Sequence, residues 1–330
     1  MTAPDPVVSV LLDPGWASGA LVADVRRGLG ERPLRLPPKW LYDDRGSELF
    51  DRITRLDAYY PFRAERAIFQ RHAAEIAAAC DATTLVELGS GTSEKTRLLL
   101  DALHDTGRLR RFVPLDVSEG TLRQAAADLS ARFPEVAVEA VVGDFTLHLG
   151  QLPHGDPSEG GGRLVAFLGG TIGNLYVEER AAFLGALADS LEPGEWLLLG
   201  TDLVKSADRL VAAYDDAGGL TAAFVGNCLL VLNRELGADF DPDAYRYVPF
   251  WDPTLERMDL RLRAEVPQRV SIPGADLVVD VGLGEEIQVE ISTKFRPDGV
   301  RRELGVAGFE VTATWTDPDG DFALTLARRR

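Results

Sequence analysis

From residue 63 onward, short apolar runs alternate with stretches in which apolar residues recur every three or four positions. Runs of the first kind are typical of buried strands, and the second spacing is typical of amphipathic helices. The predicted strands cover residues 83–88, 110–117, 136–145, 163–170 and 195–203, and the predicted helices cover 62–80, 93–107, 118–134 and 177–194. Such repeated βα units predict an α/β fold with a parallel, doubly wound sheet.

The pattern changes after about residue 204. A long helical segment, 206–236, is followed by strand-like stretches at 257–272 and 275–295. The tail then predicts a helix and a hairpin with its turn at "DPDG", and we expect this hairpin to return to the main sheet. One domain is therefore expected from residues 64–203 and 295–330. A second is expected from residues 1–63 and 204–294, with the active site between them.

The composition of the chain limits the kinds of molecule that it is expected to bind. The chain has 330 residues and a formal net charge of −17, which disfavours nucleic acid and anionic membranes. No apolar run approaches the roughly 20 residues of a membrane helix, and the N-terminus lacks a signal-peptide pattern. We expect a soluble, cytoplasmic, monomeric protein with a small-molecule substrate. The two cysteines and four histidines show no metal-ligand spacing, so no metal is expected.

The glycine-rich stretch Gly89-Ser90-Gly91-Thr92-Ser93-Glu94 follows a predicted strand. It lacks the GxxxxGK[ST] pattern of a phosphate loop. It also carries glutamate where the dinucleotide fingerprint GxGxxG needs its third glycine. Glu87 adds a second acid, so the loop is expected to suit a cationic ligand better than a pyrophosphate. Ser93 and Ser118 are predicted to cap the helices that follow the first two of these strands.

Acids also stand at the ends of the next two strands. A strand with an acid, GxG and then an acid closing the next strand is the pattern of S-adenosylmethionine (SAM) methyltransferases. Asp116 is placed to accept from both ribose hydroxyls, and Asp144 from the adenine amine, while Phe145 packs on the adenine ring. The alternative is that each acid only caps the following helix. The stretch "LGGTIGNLY" replaces the [ND]PP[YF] motif of amide methylases, which argues against a nucleic-acid methylase.

Several longer motifs carry a family resemblance. They are "KWLYDDRGSELFDRITRLDAYYPFRAE", "LVELGSGTSEKTRLLLDAL", "LDVS", "GDF", "LGGTIGN" and "EEIQVEISTKF". Together they resemble the histidine Nα-methyltransferases of ergothioneine biosynthesis, from about residue 16 to the terminal hairpin. The resemblance implies a Rossmann-like class I SAM methyltransferase sheet with a second, α+β substrate-binding domain. It also implies threefold methylation of the α-amine of L-histidine, which gives hercynine.

The resemblance implies individual roles as well. The SAM-binding positions are Tyr42, Gly89, Lys95, Asp116, Asp144 and Phe145. The histidine-binding positions are Tyr59, Gly169, Asn174, Tyr214, Glu290 and Ser292. Asn174 and Tyr214 would hold the carboxylate, Glu290 and Ser292 would bind the imidazole with Tyr59 close to it, and Gly169 and Thr171 would lie near the amine. Tyr42, Thr171 and Asn174 are the candidate catalytic residues.

Two alternatives stay open at this point. The first is a methyltransferase of the same architecture that acts on another amino acid or aromatic amine, such as a tryptophan derivative. Leu260 stands where the family often has methionine, which bears on the shape of the substrate pocket. The second is a nucleotide-binding module without catalysis, or an NAD oxidoreductase.

Overall fold

The computed structural model describes residues 6–13, 15–153 and 161–330. The composition of "LPHGDPSEGGGR" at residues 152–163 predicts a flexible loop, and residues 154–160 of this stretch lie outside the described residues. The strands are β1 (Val7–Val10), β2 (Thr84–Leu88), β3 (Arg111–Asp116), β4 (Ala137–Val142), β5 (Arg163–Phe167), β6 (Trp196–Asp202), β7 (Tyr245–Asp252), β8 (Arg257–Ala264), β9 (Gln268–Ile272), β10 (Leu277–Val281), β11 (Glu286–Thr293), β12 (Phe309–Thr316) and β13 (Phe322–Arg329). The helices are α1 (Trp16–Leu29), α2 (Asp44–Thr54), α3 (Tyr60–Ala79), α4 (Thr96–Asp105), α5 (Glu119–Arg132), α6 (Val177–Asp189), α7 (Ala207–Tyr214), α8 (Leu220–Leu236) and α9 (Pro297–Val306). Within the described residues, every helix is too short or too polar to cross a bilayer.

The chain divides into two compact units. Unit 1 comprises Met1–Leu12, Pro61–Val204 and Phe295–Arg330, and unit 2 comprises Asp13–Tyr60 and Lys205–Lys294.

Unit 1 is built on an eight-stranded sheet in the order β1-β4-β3-β2-β5-β6-β13-β12. Strands β1 to β6 pair in parallel, whereas β13 runs antiparallel to β6 and β12 antiparallel to β13. The α/β prediction is confirmed, and the terminal hairpin does return to the main sheet. The strand order reverses at β2, because β3 and β4 continue to one side of it and β5 and β6 to the other. Ligands in open α/β sheets bind at the carboxyl ends of the strands at such a reversal.

The central strands of this sheet are apolar along most of their length. Every residue of β2, β5 and β6 is buried, as expected for parallel strands that are covered on both faces. Leu88, Phe167 and Leu197 belong to one hydrophobic core, to which α6 contributes Phe183 and Leu187. This core fixes the positions at which β2 and β5 end.

Strand β1 corrects the expected domain assignment. The sequence pattern placed residues 1–63 in the second domain, but Val7–Val10 pairs in parallel with β4 at the edge of the large sheet. The strand has only four residues, and Val7 and Val10 are exposed. It therefore shows neither a buried run nor an alternating face that a pattern search would detect.

Unit 2 is organised around α8. This helix buries a broad face that includes Phe224, Cys228 and Leu232. It packs against α2 and against the three-stranded antiparallel sheet β11-β8-β7. Strands β9 and β10 form a separate two-stranded sheet. This mixture of helices and antiparallel strands is of the α+β kind that the family resemblance implied.

Several elements of unit 2 differ from the sequence prediction. The helical segment 206–236 is two helices, because the chain turns through residues 215–219 and Gly219 adopts a φ of +69°. Each of the two strand-like stretches contains two strands, β8 with β9 and β10 with β11. Strand β7 was not predicted at all. It lies at the edge of its sheet and includes Pro249, so its sequence lacks the usual strand pattern.

Candidate active site

The strand-order reversal brings two loops of unit 1 to the same edge of the sheet. Strands β2 and β5 are paired in register up to Leu88 and Phe167. The glycine loop begins at Gly89, directly after β2, and the turn through Gly169 and Gly170 follows β5. These two segments form the expected ligand-binding edge of the sheet.

The glycine loop needs glycine for its backbone conformation. Gly89 has a φ of +66° and Gly91 a φ of +51°, in the left-handed region that glycine adopts without steric cost. The Gly89 N–H donates to the carbonyl oxygen of Leu115 at 2.8 Å. A Cβ added at Gly89 would lie 3.9 Å from the Phe145 ring. The loop is thus tied to the end of β3, and the Phe145 ring lies beside it.

Glu87 stabilises the loop from inside. It is buried at 4% exposure and accepts hydrogen bonds from the hydroxyls of Ser93, at 2.9 Å, and Thr96. Burial raises the pKa of Glu87 to about 7, although both hydroxyls favour its charged form. The Glu87 carboxylate is thus bonded to two hydroxyls of the loop and fixes the loop conformation from inside. The predicted cap at Ser93 is wrong, because α4 begins at Thr96 and Ser93 bonds to Glu87 instead.

Asp116 is the last residue of β3, and its carboxylate accepts hydrogen bonds from two backbone N–H groups. One carboxylate oxygen accepts from the N–H of Gly91 and the other from the N–H of Ser118, both at 2.9 Å. Burial raises the pKa of Asp116, while these N–H groups oppose that shift. Each oxygen has a second lone pair, so the carboxylate can still accept from hydroxyl donors of a ligand. Ser118 occupies the N-cap position of α5, as predicted, but its side chain makes no capping bond to the helix backbone.

Asp144 and Phe145 follow β4 at the same edge. One Asp144 oxygen accepts from the backbone N–H of Thr146 at 2.8 Å and from its hydroxyl at 2.6 Å. The half-buried Phe145 ring lies 5.1 Å from the Phe167 ring, centroid to centroid, and 5.8 Å from the Phe183 ring. This aromatic packing fixes a ring next to the glycine loop.

Glu65 on α3 joins the two loops. Its side chain is completely buried, and its two oxygens lie 2.9 and 3.1 Å from the backbone nitrogen of Gly169, which donates to them. The same carboxylate accepts from the Lys95 ammonium, which also lies 5.1 Å from the centre of the Phe62 ring. A single buried charge therefore holds both the start of α4 and the turn after β5.

This arrangement limits what the turn after β5 can offer a ligand. The N–H of Gly169 is committed to Glu65, and the Thr171 hydroxyl donates to the carbonyl oxygen of Leu168 at 3.0 Å. Toward a further ligand, Gly169 can act only through its carbonyl oxygen and Thr171 only as an acceptor. Asn174 ends the short 3₁₀ helix Thr171–Asn174 that starts at this turn. The turn thus suits a ligand that carries N–H donors, such as an amine.

Unit 2 contains a second group of predicted residues. The hydroxyls of Tyr214, at the end of α7, and Ser292, on β11, lie 2.9 Å apart. Glu290 and Ser292 are buried, at 9% and 7% exposure, rather than facing solvent. Leu260 on β8 is the register partner of Glu290, so the position that departs from the family pattern lies directly beside this carboxylate.

Aromatic rings connect the remaining predicted residues of unit 2. The Tyr59 ring lies 6.1 Å from the Tyr214 ring and 6.1 Å from the Phe50 ring. Tyr42 packs edge-on against Phe50 and Phe224, at 5.5 and 5.2 Å. Tyr42, Tyr59 and Tyr214 therefore belong to one aromatic cluster.

A protein-family model described as "Histidine-specific methyltransferase, SAM-dependent" matches residues 21–329. The chain belongs to this family. The family and the SAM cofactor predicted from the sequence are confirmed, and the protein is an enzyme that transfers methyl groups from SAM.

The chain is also similar to individual proteins. The chain is 56% identical over 313 residues to a histidine N-alpha-methyltransferase of Mycolicibacterium smegmatis, covering 95% of this chain and 96% of the relative. A histidine N-alpha-methyltransferase of Mycobacterium tuberculosis is 54% identical, with 94% and 95% covered. A 4-dimethylallyltryptophan N-methyltransferase of Claviceps purpurea is 25% identical, with 92% and 94% covered. Among solved structures, the CcbJ methyltransferase from Streptomyces caelestis is 16% identical with a TM-score of 0.45, covering 82% of this chain and 96% of that one.

The ligand edge of unit 1 fits SAM. The glycines leave room for close approach of the ligand, Asp116 has acceptor capacity for ribose hydroxyls, and Asp144 with Phe145 offers a carboxylate and a ring for adenine. Lys95 is placed near this edge by its bond to Glu65. Tyr42, the sixth predicted SAM-binding residue, belongs to unit 2. The individual roles of all these residues, and the expected absence of a metal, stay predictions.

Two residues with central positions were not singled out from the sequence. Glu65 occupies the apolar face of α3, with Ile68, Phe69 and Ile76, and a charge within such a stripe is an available signal. Lys294 follows Glu290 and Ser292 at the same two-residue spacing. It donates to the Ser292 hydroxyl at 2.6 Å. Both residues lie inside the family motifs, but the resemblance gave neither a role.

Asp116→Ala is expected to weaken binding of S-adenosylhomocysteine (SAH) by roughly 10- to 150-fold, because it removes charge-assisted hydrogen bonds of about 1.5–3 kcal/mol. It also leaves the N–H groups of Gly91 and Ser118 without their carboxylate. Calorimetric titration with SAH measures the change. Asp128→Ala, at an exposed position on α5, is the matched control and should bind SAH normally. Unchanged affinity in Asp116→Ala would exclude the proposed SAM site.

Glu87→Gln is expected to change how stability depends on pH. Because the pKa of folded Glu87 is raised to about 7 from an ordinary 4.5, its contribution to stability is present below pH 4.5 and is lost as pH rises through 7. The variant should therefore match the unmodified protein near pH 4 and exceed it near pH 8.5, by an amount on the order of 3 kcal/mol. Urea unfolding at both pH values tests this, with Glu94→Gln at the exposed position of the same loop as the control. A Glu87→Gln variant that is no more stable than the unmodified protein at the higher pH contradicts the inference.

Proposed function

We propose that the protein methylates the α-amine of L-histidine three times, which gives hercynine for ergothioneine biosynthesis. The observation that carries the proposal is the near full-length identity of 56% with a histidine N-alpha-methyltransferase. An ergothioneine biosynthesis protein 1 of Neurospora crassa, 28% identical over 86% of this chain and 32% of its own length, supports the pathway.

The geometry of the turn after β5 supports an amine as the methyl acceptor. SAM supplies an electrophilic methyl group on a sulfonium. In-line transfer needs the nitrogen lone pair to stay free, so in the first two transfers the amine should meet the protein through the N–H bonds that it still has. The Gly169 carbonyl and the Thr171 oxygen can accept such bonds, since their own hydrogens are committed elsewhere. Asn174, on the same 3₁₀ helix, is proposed to hold the substrate carboxylate.

Groups of unit 2 support an imidazole as the side chain. We assign the imidazole to Glu290 and Ser292, with Tyr59 close to it and Tyr214 on the carboxylate. A buried carboxylate binds an imidazole N–H as a charge-assisted hydrogen bond. Burial, followed by the negative charge of Glu290, raises the pKa of Tyr247, which stays a phenol and donates to the Tyr214 carbonyl at 2.9 Å. The polar groups of this region are thus held in fixed positions.

We further propose that the enzyme acts as a cytoplasmic monomer without a nucleic-acid or membrane partner. The net charge of −17 supports the absence of such partners, because it opposes binding to phosphate backbones and anionic lipids.

The direct experiment is mass spectrometry of histidine incubated with SAM and the protein. The proposal expects products with one, two and three added methyl groups, ending in trimethylhistidine. A tryptophan derivative is the alternative substrate, favoured by the relative named as a 4-dimethylallyltryptophan N-methyltransferase. Preferential methylation of such an indole substrate would overturn the assignment to histidine.

Glu290→Ala is expected to lower kcat/KM for histidine by roughly 100-fold or more, because the imidazole N–H loses its buried acceptor. The selectivity for histidine over tryptophan should fall with it, since an indole has no second ring nitrogen for the Glu290 and Ser292 pair to bind and presents a bulkier ring. SAH affinity should be retained. Gln288→Ala, two residues earlier on β11, serves as the control and should keep the selectivity. An unchanged histidine-to-tryptophan ratio would remove Glu290 from the imidazole site.

A further inference from the structure

A buried triangle of polar groups lies at the end of β11 in unit 2. The Lys294 ammonium donates to the Tyr214 hydroxyl at 2.8 Å and to the Ser292 hydroxyl at 2.6 Å. The two hydroxyl oxygens are themselves 2.9 Å apart. The exposed fraction is 2% for Lys294 and 7% for both Tyr214 and Ser292. Water therefore has little access to these hydrogen bonds.

The direction of each hydrogen bond in the triangle follows from the chemistry of the three groups. An ammonium donates and cannot accept, so both hydroxyl oxygens accept from Lys294. Of the two hydroxyls, one donates its hydrogen to the other. The remaining hydroxyl hydrogen must point away from the triangle. The cluster thus directs one hydroxyl donor outward, next to a positive charge.

The positive charge also strengthens that donor. A hydroxyl that accepts from an ammonium is polarised and becomes a better donor itself, and this effect is larger away from water. The Nζ of Lys294 lies 4.8 Å from the centre of the Tyr214 ring, which keeps the ammonium against the aromatic cluster that includes Tyr59. The charge is therefore held at the residues that are proposed to bind the amino acid.

We propose that Lys294 is a positioning residue for the amino-acid substrate. Its ammonium orders the hydroxyl hydrogens of Tyr214 and Ser292, so that the one hydrogen that points outward donates to an acceptor group of L-histidine. The residue acts through these two hydroxyls and needs no contact with the substrate. The inference rests on the proposed function, in which Tyr214 and Ser292 bind histidine.

The test is a double-mutant cycle on histidine binding. Lys294→Met removes the charge and keeps an unbranched apolar chain, and we expect it to raise the KM for histidine roughly 10- to 100-fold. The kcat and the affinity for SAH should change little. In a background that carries both Tyr214→Phe and Ser292→Ala, the same Lys294→Met change should cost much less, within about threefold, because the two hydroxyls through which Lys294 acts are absent. The dissociation constant of histidine, measured by calorimetry with SAH present, gives a second reading of the same cycle.

Thr293→Val is the matched control. Thr293 precedes Lys294 in the strand and is half-buried, and its substitution should leave the KM for histidine unchanged. Should Lys294→Met fail to bind SAH, which would indicate misfolding, Lys294→Gln takes its place in the cycle, because it keeps a polar donor without the charge.

Two results would overturn the inference while the proposed function stands. One is an unchanged KM in Lys294→Met while the unmodified protein methylates histidine. The other is an equal loss in both backgrounds, which indicates a role in folding alone. Failure of the unmodified protein to methylate histidine is a different result, and it overturns the proposed function together with this inference.

Discussion

The fully buried carboxylate of Glu65 is the interaction on which the ligand edge of unit 1 depends. A charge removed from water needs hydrogen-bonding partners, and Glu65 finds them in the Lys95 ammonium and the Gly169 N–H. These partners lie on two loops that are distant in sequence. A Cβ at Gly200 on β6 would lie 2.5 Å from a Glu65 oxygen, so even the neighbouring strand carries glycine to leave room for it. The carboxylate thus sets the relation between the glycine loop and the turn after β5.

Unit 2 has a buried charge of opposite sign. The Lys294 ammonium donates to the hydroxyls of Tyr214 and Ser292, just as Glu65 accepts from a lysine and a backbone N–H. In both units a buried charge fixes groups that are expected to contact a ligand, namely Lys95 and Gly169 in unit 1 and Tyr214 and Ser292 in unit 2. Such an arrangement suits methyl transfer, which depends more on alignment of the amine than on a strong base.

Much of this organisation was accessible from the sequence, for identifiable reasons. The strands of the large sheet are continuous apolar runs, and the helices between them repeat at helical spacing, so their order and class were predicted. The acids at strand ends pointed to SAM because Asp116 and Asp144 follow successive strands. Strands β1 and β7 escaped prediction because one has four residues and the other carries Pro249.

Other features depend on tertiary contacts that no local pattern contains. Ser93 resembled a helix cap, but the buried Glu87 competes for its hydroxyl and the helix starts at Thr96. The raised pKa of Glu87 likewise follows from burial, which its position beside the glycines does not reveal. Lys294 and Glu65 were visible only as charges in apolar surroundings. Each has a partner far away in the sequence: Tyr214 lies 80 positions from Lys294, and Gly169 lies 104 positions from Glu65.

The most direct test of the site is a crystal structure of the protein with SAH bound. The ribose hydroxyls are predicted to lie on the Asp116 carboxylate, with the adenine against Phe145 and its amine toward Asp144. Glu65 should remain bonded to Lys95 and to the Gly169 N–H. Binding of SAH away from the carboxyl ends of β2 and β5, or an adenosine that leaves Asp116 without a contact, would contradict the account.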